Sequence, residues 1–251
     1  PTVPVPSVWR MRPVAADNRR QRGWWGLALG ALAGAIVVWI LRRRVRRETI
    51  QRRFWDPLYN RFARLYDVLV EELTGFTTHR YRQRALPYLP PEGARLLEIG
   101  FGNGKLHAEL AERYRMAGID RAAGMVRLTR RRLDERDLHS DLQQGDATAL
   151  PWPDETFDAV VSTFALSAIP DVDAALDEMV RVLRPGGRIV IVDAGESVRG
   201  TGFAWALARL WELFGDYMRD EVPLLRARGL TVHREEFGPG GCVHIVVGTK
   251  P

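Results

Sequence analysis

Residues 96–104 read Leu96-Leu97-Glu98-Ile99-Gly100-Phe101-Gly102-Asn103-Gly104, and this stretch decides the fold. A short run suited to a buried strand, Arg95–Ile99, enters a glycine-rich turn, and a helical pattern over Leu106–Arg113 leaves it. Gly100 and Gly102 let the backbone pass close to a ligand with no Cβ in the way. The helix start beyond them offers unpaired N–H donors. A tight strand-to-helix turn without a ligand would use the same glycines, so the loop alone is a weak signal. The next apolar run, Met116–Ile119, ends at Gly118-Ile119-Asp120, 22 residues after Glu98. A carboxylate there can accept hydrogen bonds from both hydroxyls of a ribose. In isolation Asp120 would read as an N-cap or turn residue; in register with the glycine loop it reads as a nucleoside contact.

Working outward, β-type and helical runs alternate. Ala123–Leu133 is helical, Leu142–Gln144 a short strand, Phe157–Thr163 a strand, and Val172–Leu183 a helix with Ala175, Met179, Val182 and Leu183 on one face. Arg184-Pro185-Gly186-Gly187 stops that helix before a strand at Arg188–Asp193. Such alternation predicts an α/β, Rossmann-like, doubly wound and mostly parallel sheet. Leu230–Phe237 and Cys242–Val247, joined by Gly238-Pro239-Gly240-Gly241, read as a closing hairpin that adds an antiparallel C-terminal strand.

The spacing of the glycines separates two ligand classes. A dinucleotide fingerprint is G-x-G-x-x-G; here an acidic residue precedes G-x-G-x-G. At this point residues 54–251 resemble class I S-adenosylmethionine (SAM)-dependent methyltransferases, in the group that includes ubiquinone/menaquinone-biosynthesis and bacterial phosphatidylethanolamine methyltransferases. The resemblance implies that Glu98, Gly100, Gly102 and Gly104 surround the amino-acid part of SAM. It implies that Asp120 holds the ribose and that Met125 packs on the adenine. Gly145-Asp146-Ala147-Thr148-Ala149-Leu150-Pro151 resembles the family's "GDA-x-x-LP" motif, which gives Asp146, with Ala147 beside it, the adenine amino group. The resemblance also implies that Ser162, on the strand Phe157–Thr163, lies beside the sulfonium, and Leu183-Arg184-Pro185-Gly186-Gly187 is a further family mark. Two positions depart from the pattern. Arg121 stands where Ser or Pro is common, and Leu166-Ser167-Ala168-Ile169-Pro170 lacks a frequent His. No His or carboxylate stands out as a general base, so no catalytic residue is assigned. No Cys/His set has metal-ligand spacing, and no metal is expected.

Charge divides the chain of 251 residues. Residues 1–53 hold twelve Arg against Asp17 and Glu48, whereas residues 54–251 hold 25 basic and 29 acidic side chains. A nucleic-acid enzyme usually carries its basic surface on the reading domain, so a nucleic-acid partner is not expected. The basicity flanks Trp24–Leu41, WWGLALGALAGAIVVWIL, which carries no charge. As a helix this run would be about 27 Å long at roughly 1.5 Å per residue, close to the hydrocarbon thickness. Trp24, Trp25 and Trp39 sit near its ends, and Gly26, Gly30 and Gly34 share a face open to a second helix. The expected organisation is a Pro/Arg-rich tail at 1–23, a transmembrane helix at 24–41, a basic juxtamembrane linker at 42–53 and a methyltransferase domain at 54–251. The denser arginine cluster follows the span, which orients the domain to the cytoplasmic side of the inner (cytoplasmic) membrane. The bilayer is thus an expected partner, and the glycine face admits a membrane-protein partner.

Two aromatic stretches bear on the acceptor. Tyr59, Phe62 and Tyr66 on an amphipathic helix within 54–86 could fold over the site or merely pack that helix. Phe203, Leu207, Leu210, Trp211 and Phe214 share a helical face that suits a lipid-soluble acceptor, although an ordinary core helix would look the same. Two functions follow: a membrane-anchored methyltransferase acting on a phospholipid head group or an isoprenoid quinone, or an accessory subunit of a membrane complex that retains the fold.

Overall fold

The computed structural model describes Pro57 and residues 77–195, 218–238 and 241–251. The tail, the apolar segment 24–41, the basic linker, Tyr59, Phe62, Tyr66 and the aromatic face at 203–214 lie outside the described residues. Among the described residues no helix is long and apolar enough to cross a membrane.

Among the described residues seven strands form one sheet: β1 (Arg95–Ile99), β2 (Arg115–Asp120), β3 (Ser140–Gln144), β4 (Phe157–Thr163), β5 (Leu183–Ala194), β6 (Thr231–Phe237) and β7 (Val243–Thr249). Their spatial order is β3-β2-β1-β4-β5-β7-β6. The first five pair in parallel, and β7 runs antiparallel to both β5 and β6. The expected Rossmann-like sheet and its antiparallel closure are therefore present. Among the described residues the α-helices are α1 (Thr77–Arg82), α2 (Lys105–Ala111), α3 (Ala123–Asp134), α4 (Val172–Val182) and α5 (Glu221–Ala227). Central strands are buried on both faces, as a sheet covered by helices requires. Leu96, Leu97, Val160, Val161 and Ile189 to Val192 have essentially no exposed surface. Cys242 joins the core beside β7, and burial pushes its thiol pKa up.

Most element ends fall within two residues of the sequence reading; the largest difference is at the start of β5. Residues 184–187 do not separate α4 from a strand starting at Arg188; they bulge within β5. Phe157 pairs with Leu183 while Ala159 pairs with Arg188. Arg184 forms an ion pair with Asp158, and Gly187 O accepts from Lys250 N at 3.0 Å. A Cβ at Gly187 would stand 2.8 Å from Arg184 O and 2.9 Å from Asp158 O, so the bulge needs a glycine there.

The strand order reverses between β1 and β4. In open α/β sheets the crevice beyond the carboxyl ends of the strands at such a point is where ligands bind.

Candidate active site

The turn after β1 is tied to the end of β2. Gly100 N donates to Ile119 O at 2.8 Å. Gly102 N donates to Asp120 Oδ2 at 2.8 Å, and Ala122 N donates to Asp120 Oδ1 at 2.9 Å. The three glycines of the turn all have positive φ, yet they meet different neighbours. A Cβ at Gly100 would stand 2.4 Å from Ala165 Cβ, so this glycine lets the β1 and β4 loops touch. A Cβ at Gly104 would strike the Thr129 side chain of α3 at 2.3–2.7 Å. At Gly102 nothing lies within 4 Å of that position: it faces open space.

That space is a cleft of about 220 Å³ at the switch point, far beyond the ~10–15 Å³ that one buried water needs. Gly100, Gly102, Asp120, Met125, Asp146 and Ala147 line it. Of the other expected site residues, Glu98, Gly104 and Ser162 lie behind its surface. Glu98 is 1% exposed because His107, on α2, takes its carboxylate at 2.9 Å. His107 Nε2 lies 2.8 Å from Ser140 Oγ, whose hydroxyl donates to Met116 O at 2.9 Å. Ser140 has one proton to give, so Nε2 carries the hydrogen between them, and one further proton is shared between Nδ1 and Glu98. Ser162, on β4, is fully buried and its Oγ lacks a partner among the described residues.

Burial pushes the Asp120 carboxyl up to about 6, against the two backbone N–H donors that favour its ionised form, and the nearby Glu98 adds to the rise. A diol donating to that carboxylate would restore the stabilisation lost with water. Asp146 Oδ1 accepts from Thr148 N and Oγ1 at 3.0 and 2.9 Å, which fixes the carboxylate at the cleft edge. Met125, which also lines the cleft, is 2% exposed.

The opposite wall is the loop after β4. Phe164, Ala165, Ala168, Ile169 and Pro170 line the cleft there, and Phe164 holds a positive φ of 52°. Asp193 Oδ2 accepts Ser167 N at 2.9 Å from behind. Burial, and then the charge of Glu221, raise the pKa of Asp193. Arg219 donates to Leu166 O, Ile169 O and Pro170 O at 3.3, 2.8 and 3.0 Å. The sequence reading missed this bracket, together with Arg82 and Asn103, which also line the cleft. Asn103 was visible inside the glycine motif; nothing local to Arg82, Asp193 or Arg219 marks them.

An open glycine, a diol acceptor beside it, a second carboxylate at the rim and a buried thioether fit a nucleoside ligand. Residues 97–191 match the family model described as "Methyltransferase domain". The chain is 32% identical over 189 residues to phosphatidylethanolamine N-methyltransferase from Cereibacter sphaeroides, covering 73% of this chain and 91% of that protein. The chain belongs to the class I SAM-dependent methyltransferases. SAM is the cofactor of this methyltransferase. It is also 36% identical over 140 residues to demethylmenaquinone methyltransferase from Thermus thermophilus, covering 54% of this chain and 64% of that protein.

Solved structures match the fold at lower identity. Phosphoethanolamine N-methyltransferase 2 from Haemonchus contortus, in complex with SAM, superposes with a TM-score of 0.60 at 17% identity, over 68% of this chain and 52% of that one. The [4+2]-cyclase SpnF superposes with a TM-score of 0.59 at 21% identity, over 68% and 80%. A methyltransferase and a cyclase on one scaffold show that the methyltransferase's acceptor must be argued from elsewhere than its fold.

Proposed function

We propose that this methyltransferase acts on a lipid-soluble acceptor, with the amine of a phospholipid head group ahead of an isoprenoid quinone. The observation that carries the choice is the reach of the phosphatidylethanolamine N-methyltransferase match, 91% of that protein. SAM brings a methyl group already activated by its sulfonium, so the protein has to align the acceptor and keep water out. Phe164, Ala165, Ala168 and Ile169 form an apolar wall beside the end of β4, where such an acceptor would approach. The uncharged segment 24–41 would tether the domain to the bilayer, with the arginines of 42–53 on anionic lipid at the cytoplasmic face. The Asp120, Asp146 and Met125 side chains would hold the nucleoside of SAM, and Gly102 would let it lie against the turn.

The experiment incubates membranes containing the full chain with methyl-labelled SAM, then separates phospholipids, quinones, protein and aqueous products. Label in the phospholipid fraction is the expected result. Label confined to protein or to the aqueous phase overturns the acceptor class. Trp211→Asp, on the aromatic face at 203–214, should abolish lipid labelling while S-adenosylhomocysteine still binds.

A further inference from the structure

Arg82 closes α1 and lines the cleft. Its Nε is shut off from solvent and lacks a hydrogen-bond partner among the described residues. Its Nη1 lies 3.4 Å from Asn103 Oδ1, too long for a strong bond, and that oxygen already accepts Lys105 N at 3.2 Å. A desolvated guanidinium N–H with no acceptor costs free energy until something pairs with it. The neutral amide of Asn103 cannot supply the anion that a guanidinium prefers.

The charges around the cleft suggest what does. Asp120 and Asp146 supply acceptors for hydroxyl and amino groups. Arg121, the other cation lining the cleft among the described residues, is exposed, whereas Arg82 is half-buried beside the glycine turn. SAM carries one anionic group, the α-carboxylate of its methionine part. A planar guanidinium matches a carboxylate with two parallel N–H donors, and the pair is strongest where water is excluded. Resting on the SAM reading of the cleft, we infer that Arg82 is the carboxylate receptor for the cofactor. It makes the cleft discriminate nucleosides that carry the amino-acid tail from those that have lost it. The long contact to Asn103 is then exchanged for a shorter, charge-assisted one when the cofactor enters. Arg82 reaches the turn from a helix that precedes β1, so the same contact fastens α1 to the loaded cleft.

The test uses the full chain in detergent and two ligands, S-adenosylhomocysteine and 5′-methylthioadenosine, which share the nucleoside and differ in the amino-acid tail. Calorimetry should show Arg82→Met weakening S-adenosylhomocysteine by about 10- to 100-fold, the range of a charge-assisted bidentate contact. The same variant should leave 5′-methylthioadenosine within about twofold, which also reports that the cleft is folded. Arg82→Lys, which keeps the charge and loses the fork, should fall between. Equal weakening of both ligands would make Arg82 a structural residue only and overturn the inference. An unchanged affinity for S-adenosylhomocysteine would overturn it too, including the case where only phospholipid methylation suffers. Wild-type protein that binds neither nucleoside would instead remove the SAM reading on which the inference rests.

Discussion

Gly102 and Gly104 differ in what surrounds them, and alanine at each should separate binding from stability. Both have positive φ, 54° and 72°, so an L-residue costs about 1–2 kcal/mol at either position. Alanine also restricts the unfolded chain, which returns roughly 0.4–1 kcal/mol. At Gly102 nothing more is added, because the new methyl has no neighbour within 4 Å. At Gly104 the methyl drives into Thr129, which is fully buried and held by its own hydrogen bond to Gly102 O at 3.0 Å. Thr129 cannot swing away without breaking that bond, so overpacking adds about 1–3 kcal/mol. Gly102→Ala should therefore cost about 1 kcal/mol and Gly104→Ala about 3 kcal/mol. At roughly 2–4 °C per kcal/mol for a domain of this size, the melting temperature should fall by about 2–4 °C and about 6–12 °C. Affinity should rank the other way. The Gly102 methyl enters the cleft and should weaken S-adenosylhomocysteine by at least about tenfold, the cost of a misfit in a packed site. Gly104 does not line the cleft, and its variant should bind with much smaller loss at a temperature where it is folded. Thermal melts with and without ligand, and calorimetry at 10 °C, read both quantities. If Gly102→Ala melts as low as Gly104→Ala, or binds as the wild type does, the cleft has been drawn in the wrong place.

Three other perturbations test the site. The folded pKa of Asp120, about 6, lies above its ordinary value, so the ligand-free protein binds more protons folded than unfolded and loses stability as pH rises from about 4 to 6. Asp120→Asn should flatten that slope in urea titrations and bind S-adenosylhomocysteine at least about tenfold more weakly, while wild-type affinity should fall as pH drops below 6 and the carboxylate protonates. His107→Ala strands Glu98 in a dry interior and should cost about 3–5 kcal/mol by chemical denaturation, whereas a variant within about 1 kcal/mol of wild type would mean that the buried pair is not a charged one. Arg219→Gln should release the loop 166–170, seen as faster amide exchange there, and raise KM for SAM with the melting temperature down by only a few degrees, on the order of 1 kcal/mol; unchanged exchange would show that the loop is held by its own packing.

Much of this was legible because it is local. The β1 turn, the acid at the end of β2 and the "GDA" stretch each lie within one strand-to-helix connection, and hydrophobic periodicity fixes where those connections fall. What the sequence hid depends on chain segments that meet only after folding. Glu98 belongs to the motif, but its partner His107 comes from α2 and the next link, Ser140, from β3. The cleft wall is braced by Arg219 just before α5. Glu221, at the start of α5, pairs with His244 on β7 at 2.7 Å, and its charge raises the pKa of Asp193 on β5, a buried cluster with no shared motif. The bulge at 184–187 read as a stop signal because Pro-Gly-Gly ends helices and interrupts strands alike.

The cleft also collects features that cost the ligand-free protein stability. Phe164 pays the steric penalty of positive φ, which only a rigid surround maintains. Its N–H supplies the surround, donating to Val192 O at 2.7 Å. Asp120 is a carboxylate disfavoured by burial, and the buried Nε of Arg82 lacks an acceptor among the described residues. Each would be cheaper replaced: Gly or Asn at 164, Asn at 120, Met at 82. A fold optimised only for stability would not place three such groups around one open space. SAM carries groups that answer two of them, hydroxyls for the carboxylate and a carboxylate for the guanidinium. Ligand binding and domain stability should accordingly be coupled more strongly here than the loose packing of an open cleft alone would give. The stabilisation by S-adenosylhomocysteine should therefore shrink in Asp120→Asn and in Arg82→Met even when the ligand is added at saturation relative to wild type.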